Sequence, residues 1–218
     1  MRYYLTLHLR SDTTFGRGDG TAGLVDTDIE HDTDGIPFVG GRVIKGLLRE
    51  EYANLRFALG EPQRWDDAAT LLFGRSGATG KDIAQMHVGS ATLPPDLCNI
   101  LRSEPHQPGQ LLGACTAIRR QTSLDAESGA PQEGSLRSMR VLLRETDLIA
   151  QLDFASQPDE RTLSLLAACV LAVRRGGTAR NRGRGRLRML LHPNIPDNYH
   201  DSVFTEQCFR PFDAEVRP

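Results

Sequence analysis

The sequence predicts an α+β fold in which two helices pack against one sheet. Three observations support this prediction: short segments alternate apolar and polar residues, two longer segments repeat apolar residues at helical spacing, and the order strand, helix, strand occurs twice along the chain. The 218 residues, 39% hydrophobic and 25% charged, suit a single globular domain over residues 1–218 and exclude the disordered and collagen-like classes.

The first strand, helix and strand lie in the N-terminal half. Residues 3–10 alternate apolar and polar side chains, which is typical of a half-buried strand. Residues 42–59 repeat apolar residues at helical spacing, and Gly60 is a suitable end for that helix. Residues 86–93 are predicted to form the second strand, which ends before two prolines. Residues 65–73 are predicted to form a short additional helix.

The second strand, helix and strand lie in the C-terminal half. Residues 147–154 alternate again, residues 159–173 are strongly periodic, and residues 187–191 form an apolar strand. The complete order predicts a ferredoxin-like βαββαβ core with inserted loops, similar to an RNA-recognition motif.

The remaining segments are predicted to be less regular. Residues 117–144 centre on the sequence Ser-Gly-Ala-Pro, which indicates a projecting hairpin or a long loop. Residues 96–113 are rich in proline and polar side chains, so no structure is assigned to them, and the tail after Pro193 is expected to wrap irregularly.

The sequence shows no feature of a membrane or secreted protein. No apolar segment approaches the roughly 18 residues that cross a bilayer, and the first residues lack the apolar core of a signal peptide, so the expected location is the cytoplasm. The four cysteines are scattered and form no C-x-x-C pair, so neither a cysteine zinc site nor a disulfide framework is predicted.

Charge is strongly segregated along the chain, although the net charge is only −2. Residues 12–34, the acidic loop, hold seven acids against one arginine, and five glycines lie between Gly16 and Gly35. Residues 174–188, the basic loop, hold seven arginines and no acid, interleaved with glycines. Since a polyanion could dock on the second segment while the first keeps its carboxylates for a metal ion or a proton, local charge matters more than the total.

The acidic loop contains the candidate catalytic residues, Asp26 and Asp28. They stand among flexible residues, where their carboxylates could hold Mg²⁺ or Mn²⁺ or position a ribose hydroxyl. The alternative is a solvated loop that only keeps the surface soluble, and spacing alone does not separate the two interpretations.

Three groups of cations are candidates for contacting an RNA backbone. The helix that begins after two glycines presents free N–H groups and basic side chains, although the same residues suit an ordinary helix N-terminus. In the basic loop, glycines let the main chain approach phosphates and arginines bind them in bidentate fashion. With the arginines of the hairpin segment, the candidate RNA-binding residues are Arg42, Lys45, Arg49, Arg119, Arg120, Arg137, Gly177, Arg180, Arg182, Gly183 and Arg186.

Together these motifs resemble the RAMP superfamily of CRISPR-associated proteins. Residues 35–49, GIPFVGGRVIKGLLR, are similar to the signature of that family; residues 88–93, VGSATL, are similar to one of its strands; and residues 180–186, RNRGRGR, are similar to its late glycine-rich loop. The motifs cover most of the chain in the order of the family. Two residues depart from it: Gly40 stands where proline is usual, and Arg184 where an aromatic or apolar residue is common.

Within the superfamily, residues 122–141 most resemble backbone subunits of type III effector complexes, particularly the type III-D branch. The resemblance implies a ferredoxin-like core, subunits that stack along a guide RNA, and a thumb hairpin at residues 117–144 inserted between bases of the guide and target duplex. In cleaving subunits an aspartate of the first loop cuts target RNA with a divalent metal. Asp26 stands where this catalytic and metal-binding aspartate is expected. Asp28 would take that place if the alignment with the family were shifted by one step in register.

The primary hypothesis is a guide-RNA-binding backbone subunit of a type III-like complex, with metal-dependent cleavage of target RNA as an open question. Its implied partners are the CRISPR guide RNA, target RNA and other protein subunits, including copies or paralogues of itself, and no membrane. One alternative is a non-catalytic subunit that caps the 5′ end of the guide. Another is a metal-independent guide-processing ribonuclease that uses Tyr3, Tyr4 or His8 as general acid and base.

Overall fold

The computed structural model describes residues 1–60, 63–75, 77, 79–103, 106–107 and 109–217. Its strands are β1 (Arg2–Leu9), β2 (Phe38–Val39), β3 (Met86–Val88), β4 (Ala91–Thr92), β5 (Thr116–Gln121), β6 (Arg137–Leu142), β7 (Asp147–Phe154) and β8 (Leu187–His192). Its α-helices are α1 (Gly41–Leu59), α2 (Asp66–Phe73), α3 (Pro95–Ser103), α4 (Gln110–Cys115), α5 (Glu160–Ala172) and α6 (Val203–Val216). Within these residues, no helix is long and apolar enough to cross a membrane.

Strand β1 is an inner strand of the six-stranded main sheet. It pairs antiparallel with β7 on one side and with β8 on the other, and the order across the sheet is β2-β4-β7-β1-β8, with β3 also paired to β7. The second predicted strand is divided into β3 and β4 around Gly89. The order along the chain is βαββαβ, and the fold is ferredoxin-like, as the sequence predicts.

The hydrophobic core lies between the main sheet and the helices. Leu5, Leu7 and Leu9 of β1 are fully buried, and the polar residues between them point to the other face because side chains alternate along a strand. Helix α5 packs against β8, α1, α2 and α6, which explains why so much of it is buried. Its N-terminus is capped by Asp159, whose carboxylate accepts a hydrogen bond from the Thr162 N–H at 2.7 Å.

Strands β5 and β6 form a separate hairpin, with an exposed tip at residues 122–136, where the sequence predicts a projecting segment. Strand β6 also bonds the acidic loop. The Asp26 N–H donates to the Ser138 carbonyl at 2.9 Å, and the Arg140 N–H donates to the Thr27 carbonyl at 3.0 Å. This part of the acidic loop is therefore an ordered extension of the hairpin.

The basic loop is held against the segment that follows β1. The Thr178 N–H donates to the Thr14 carbonyl at 2.9 Å, and the Gly185 N–H donates to the Asp12 carbonyl at 3.2 Å. Gly177 has a φ of +77°, and a Cβ there would lie 2.4 Å from the Thr14 carbonyl oxygen. Glycine is thus required at this position by both the backbone conformation and the close approach.

The C-terminal tail is more regular than the sequence predicts. Helix α6 occupies residues predicted to wrap irregularly, and it packs on α5. Phe212 is buried against Trp65 with ring centroids 4.9 Å apart, and the Thr205 hydroxyl donates to the Leu191 carbonyl at 2.9 Å. The helix continues through Pro211, a residue that disfavours a helix in sequence analysis because it lacks an N–H.

Two short helices, α3 and α4, lie in the segment to which the sequence analysis assigns no structure. Helix α3 starts at Pro95, a position that the fixed φ of proline suits, and Leu111 and Leu112 of α4 are buried. Residues 104, 105 and 108, between these helices, lie outside the described residues. Both helices are too short for a periodic pattern to reveal them.

Replacing Gly177 with alanine is expected to destabilise the fold more than replacing Gly183. The two glycines have φ values of +77° and +80°, so either alanine costs about 1 kcal/mol of backbone strain. Only at Gly177 would the new Cβ also meet backbone, whereas nothing lies within 4 Å of it at Gly183. Urea denaturation of both variants measures the difference, and equal losses would contradict the close contact with Thr14.

Candidate nucleic-acid interface

A cleft of about 960 Å³ opens between the acidic loop, the hairpin and the basic loop. Its walls also include the middle of α1 and the end of α5. Arginines outnumber acids along it, which suits a polyanion. This basic cleft is lined by Asp26, Thr27, Glu50, Glu51, Gln121, Arg137, Ser138, Met139, Ala172, Arg174, Arg175, Gly177, Thr178, Ala179, Arg180, Asn181 and Arg182.

Asp26 is exposed at the basic cleft and has one oxygen already bonded. Its Oδ2 accepts hydrogen bonds from the Ser138 N–H at 2.6 Å and from the Ser138 hydroxyl at 3.0 Å. These bonds, aided by the nearby Arg137 charge, lower the pKa of the Asp26 carboxyl, which is therefore ionised at neutral pH. No hydrogen bond to Oδ1 comes from the residues that the structure describes, so this oxygen can accept a ligand.

Asp28, the second predicted catalytic residue, is buried beneath the same loop. Its Oδ1 accepts hydrogen bonds from Arg140 Nε at 2.8 Å and from the Ile29 N–H at 2.9 Å, and its Oδ2 accepts one from the Thr21 hydroxyl at 2.6 Å. Burial alone would raise the pKa of Asp28, but these hydrogen bonds outweigh it and the pKa is lowered. Since both oxygens are occupied, the geometry favours a structural role for Asp28.

The arginines of the basic loop differ in their freedom to bind a ligand. Arg182 is exposed and has no side-chain partner among the described residues. Arg180 donates from Nη1 to both carboxylate oxygens of Glu50 at 3.1 Å, which places the loop against α1. Because the side chains of this pair are 42% and 48% exposed, a phosphate can displace Glu50 at small cost.

Among the lining residues that are absent from the predicted site, Arg174, Arg175 and Ser138 are the ones suited to bind a ligand or to position Asp26. Arg174 is exposed, with no side-chain partner in the part of the chain that the structure describes, and Arg175 donates from Nη1 to the Arg180 carbonyl at 3.2 Å. The run of arginines in the sequence is a signal for both. Ser138 has no comparable signal, because its role depends on how the hairpin folds against Asp26.

The predicted cations of α1 do not line the basic cleft. Lys45 is half-buried and its Nζ donates to the Met86 carbonyl at 3.2 Å, which ties α1 to β3. Burial, together with the charge of Arg49, lowers the pKa of Lys45. Arg49 lines a separate groove beside Tyr52, and Arg42 is exposed at the start of the helix.

The other predicted cations are also distributed over the surface. Arg119 forms an ion pair with Asp12 at 2.7 Å and lines, with Gly183, a second groove. Arg186 lines a third groove, and Arg120 is exposed on the hairpin. The predicted RNA-binding residues that the structure brings together in the basic cleft are Arg137, Gly177, Arg180 and Arg182.

The residues suggested for metal-independent guide processing do not form an open site. Tyr3 is 5% exposed, its ring packs edge-on against Phe154, and burial raises its pKa. His8 lies on the opposite face of β1, where its Nδ1 is 2.8 Å from Asp147 Oδ1. Tyr4 shares that face but lies four residues away along the strand. This geometry gives the guide-processing alternative no support.

The chain belongs to the RAMP superfamily, whose family model matches residues 6–188. That range includes the acidic loop, the hairpin and the basic loop, so the resemblance found in the sequence is confirmed. The comparison with curated proteins gives no significant match.

Solved structures with the same fold come from CRISPR complexes. A chain of the type III-B Cmr-beta structure bound to cognate target RNA aligns with a TM-score of 0.61 and 12% identity over 87% of this chain and 97% of that chain. A chain of the apo state of Cmr-beta aligns with a TM-score of 0.64 and 12% identity over 90% of this chain and 99% of that chain. A chain of a type IV-B CRISPR complex aligns with a TM-score of 0.58 and 14% identity over 91% of this chain and 93% of that chain. At these identities the similarity establishes the fold, and assignment to the type III-D branch stays a prediction.

Removing Asp28 alone is expected to lower the free energy of unfolding more than removing both Asp28 and its ion-pair partner Arg140. In Asp28→Ala the buried Arg140 loses its partner, which costs about 3–5 kcal/mol of unfolding free energy. The double variant Asp28→Leu, Arg140→Met buries no charge and is expected to recover most of that loss. Urea denaturation of the two variants compares them, and similar losses would contradict the structural role.

The same pair predicts a pH dependence. Because folding lowers the pKa of Asp28, the pair stabilises the native state above the unfolded pKa of about 3.9, and this stabilisation is lost as the pH falls through the lower folded pKa. The wild-type protein should therefore lose stability below about pH 4 relative to the double variant.

Proposed function

We propose that this protein is a guide-RNA-binding backbone subunit of a type III-like RNA-guided effector complex. The observation that carries the proposal is the basic cleft, in which five arginines lie beside the exposed Asp26. Membership of the RAMP superfamily and the fold shared with a chain of a type III-B structure bound to target RNA support the same function.

The basic cleft suits a ribose-phosphate chain better than the recognition of particular bases. The guanidinium groups of Arg174 and Arg182 can each bind two phosphate oxygens. None of the described residues that line the cleft is an aromatic on which a base would stack. Base identity is then left to pairing between guide and target, so guides of any sequence should bind.

Exposed apolar side chains supply the other contacts that a backbone subunit needs. Leu124 and Leu136, at the tip of the hairpin, are 65% and 60% exposed and are suited to separate stacked bases of the guide and target duplex. Phe57, near the end of α1, is 90% exposed and offers an apolar contact to a neighbouring subunit.

A second proposed activity is metal-dependent cleavage of the paired target RNA, and the position of Asp26 favours it. Mg²⁺ and Mn²⁺ take oxygen ligands and are commonly held by one or two carboxylates together with substrate phosphates and water. Oδ1 of Asp26 is free to bind, and the arginines would bring phosphates beside it. These residues fit a cation that the RNA helps to hold, and when bound the cation would stabilise charge that develops on the phosphate.

The chain's own residues position the reacting groups. Ser138 holds the Asp26 carboxylate through two hydrogen bonds, and the lowered pKa of Asp26 suits a ligand better than a proton acceptor. Arg137 adds positive charge beside it. With the RNA backbone held in line, a 2′-hydroxyl of the target would give its proton to water and attack the adjacent phosphorus. The bond from phosphorus to the 5′-oxygen would break, and that oxygen would take a proton from water, which leaves a 5′-hydroxyl and a 2′,3′-cyclic phosphate.

Replacing Arg137, Arg174 and Arg182 together with alanine is expected to flatten the salt dependence of guide-RNA binding. Each phosphate contact with a single strand contributes about 0.7 to the slope of log K against log salt, so the slope should decrease by about two. Fluorescence anisotropy at several salt concentrations measures it. Arg210→Ala, at an exposed arginine of α6 outside the cleft, should keep the wild-type slope. An unchanged slope in the triple variant would refute the proposed binding mode.

Asp26→Ala is expected to reduce target cleavage in the assembled complex by about 100-fold or more, the scale of losing one charge-stabilising group, while guide binding is retained. Gel analysis of labelled target RNA with Mg²⁺ or Mn²⁺ measures the rate. The matched control is Asp19→Asn, because Asp19 is an exposed acid of the same loop that pairs with Arg17 outside the cleft.

The cleavage experiment also separates the alternatives. Undiminished cutting by the Asp26 variant would disprove the assignment of this residue. A wild-type complex that binds its target but does not cut would favour the non-catalytic role, in which the same cleft holds the guide, including the role of a cap at its 5′ end.

A further inference from the structure

A second polar cluster lies outside the basic cleft, on the face of the main sheet that points away from Leu5 and Leu7. His8 of β1 and Asp147 of β7 are cross-strand partners in this sheet, and both are half-buried. His200, from the segment between β8 and α6, lies over them and has a side chain that is 49% exposed. His8, Asp147 and His200 are called the histidine cluster below.

The three side chains of the histidine cluster converge on one point. Nδ1 of His8 is 2.8 Å from Oδ1 of Asp147, and Nε2 of His200 is 3.6 Å from Oδ2 of the same carboxylate. One nitrogen or oxygen from each residue lies within 4.8 Å of the other two. Glu145 adds a further oxygen, since its Oε2 is 3.5 Å from Nε2 of His8.

The position of His200 is set by contacts outside the histidine cluster. The buried Thr6 hydroxyl donates to the Tyr199 carbonyl at 3.0 Å, and Thr6 Oγ1 also lies 3.0 Å from Nε2 of His192. The His200 N–H donates to Oδ1 of Asn198 at 3.0 Å. His8 and Asp147 are placed by strand register, so the fold brings these groups together without help from a ligand.

We propose that the histidine cluster binds a divalent transition-metal ion of the zinc class. Two imidazole nitrogens and a carboxylate oxygen form a donor set that Zn²⁺ prefers, and an exposed His200 leaves an entry path. Donor atoms that share one tetrahedral zinc ion at about 2.0–2.1 Å lie about 3.3–3.4 Å apart. The observed separations, 2.8 Å from His8 to one oxygen of Asp147 and 3.6 Å from His200 to the other, lie on either side of this value.

The charges around the histidine cluster also favour a cation. Asp147 and Glu145 contribute two negative charges, and Arg188, opposite His8 on β8, contributes one positive charge.

A bound ion would join the C-terminal segment to the centre of the sheet. The ligands come from β1, from β7 and from residues 193–202, so the ion would link three parts of the chain that are distant in sequence. This site does not depend on RNA binding or on cleavage at Asp26, so its failure would leave the proposed function unaffected.

The test is metal binding by the isolated full-length chain after treatment with a chelator. Titration with Zn²⁺, followed by calorimetry, is expected to show one equivalent bound, and His200→Ala should weaken that binding by more than about 10-fold. The apparent melting temperature should rise by several degrees in excess Zn²⁺ for the wild type but not for His200→Ala, because a ligand of the native state stabilises it. Co²⁺ provides a spectroscopic probe, and its spectrum should lack the thiolate bands that the four free cysteines would produce.

The matched control is His87→Ala. His87 is an exposed histidine whose cross-strand partner on β7 is also an aspartate, Asp153, but it lies outside the histidine cluster. The proposal requires that His87→Ala binds as the wild type does and that Asp147→Asn binds as weakly as His200→Ala. Equal affinity in the wild type and His200→Ala, no Zn²⁺ bound by the folded wild type, or a Co²⁺ spectrum dominated by thiolate bands would each overturn it.

Discussion

The buried ion pair between Asp28 and Arg140 is the interaction on which the candidate interface depends. Their side chains are 3% and 9% exposed and lie 2.8 Å apart, and they join the acidic loop to β6. With this pair in place, Asp26 lies against Ser138 and presents its free oxygen to the basic cleft. Burying two charges costs desolvation energy that the pairing only offsets, so its contribution is to define one arrangement of loop and hairpin.

Burial decides which arginines are available to a ligand. Arg140 is satisfied inside the protein, whereas Arg182 faces solvent among the described residues with no side-chain partner. Arg180 is intermediate, because its pair with Glu50 is exposed and can be exchanged for a phosphate. The same residue type is therefore used inside the protein at one position and left available at the surface at another, which explains how a protein of net charge −2 can present a basic surface.

The parts of the site that were predictable from sequence are those that depend on local composition. The glycines and arginines of the basic loop identified Gly177, Arg180 and Arg182, and the acidic loop identified Asp26. Lys45 was predicted from local composition to be an RNA-binding cation of α1. In the structure its ammonium group donates to the Met86 carbonyl and so ties α1 to β3. Helix α6 lies in the tail that was expected to wrap irregularly; it contains Pro211, which lacks an N–H, and it packs on α5.

The sequence by itself determined the order of strands and helices in the βαββαβ core and the segregation of charge, because periodicity and composition are properties of neighbouring residues. Only the tertiary structure decided that Asp26 is exposed while Asp28 is buried, and that His8 lies beside His200. These outcomes depend on strand pairing and burial between residues far apart, as between Asp28 and Arg140, 112 positions away. Contacts of that kind leave no local pattern in the chain, since they arise only when the sheet and its loops have folded together.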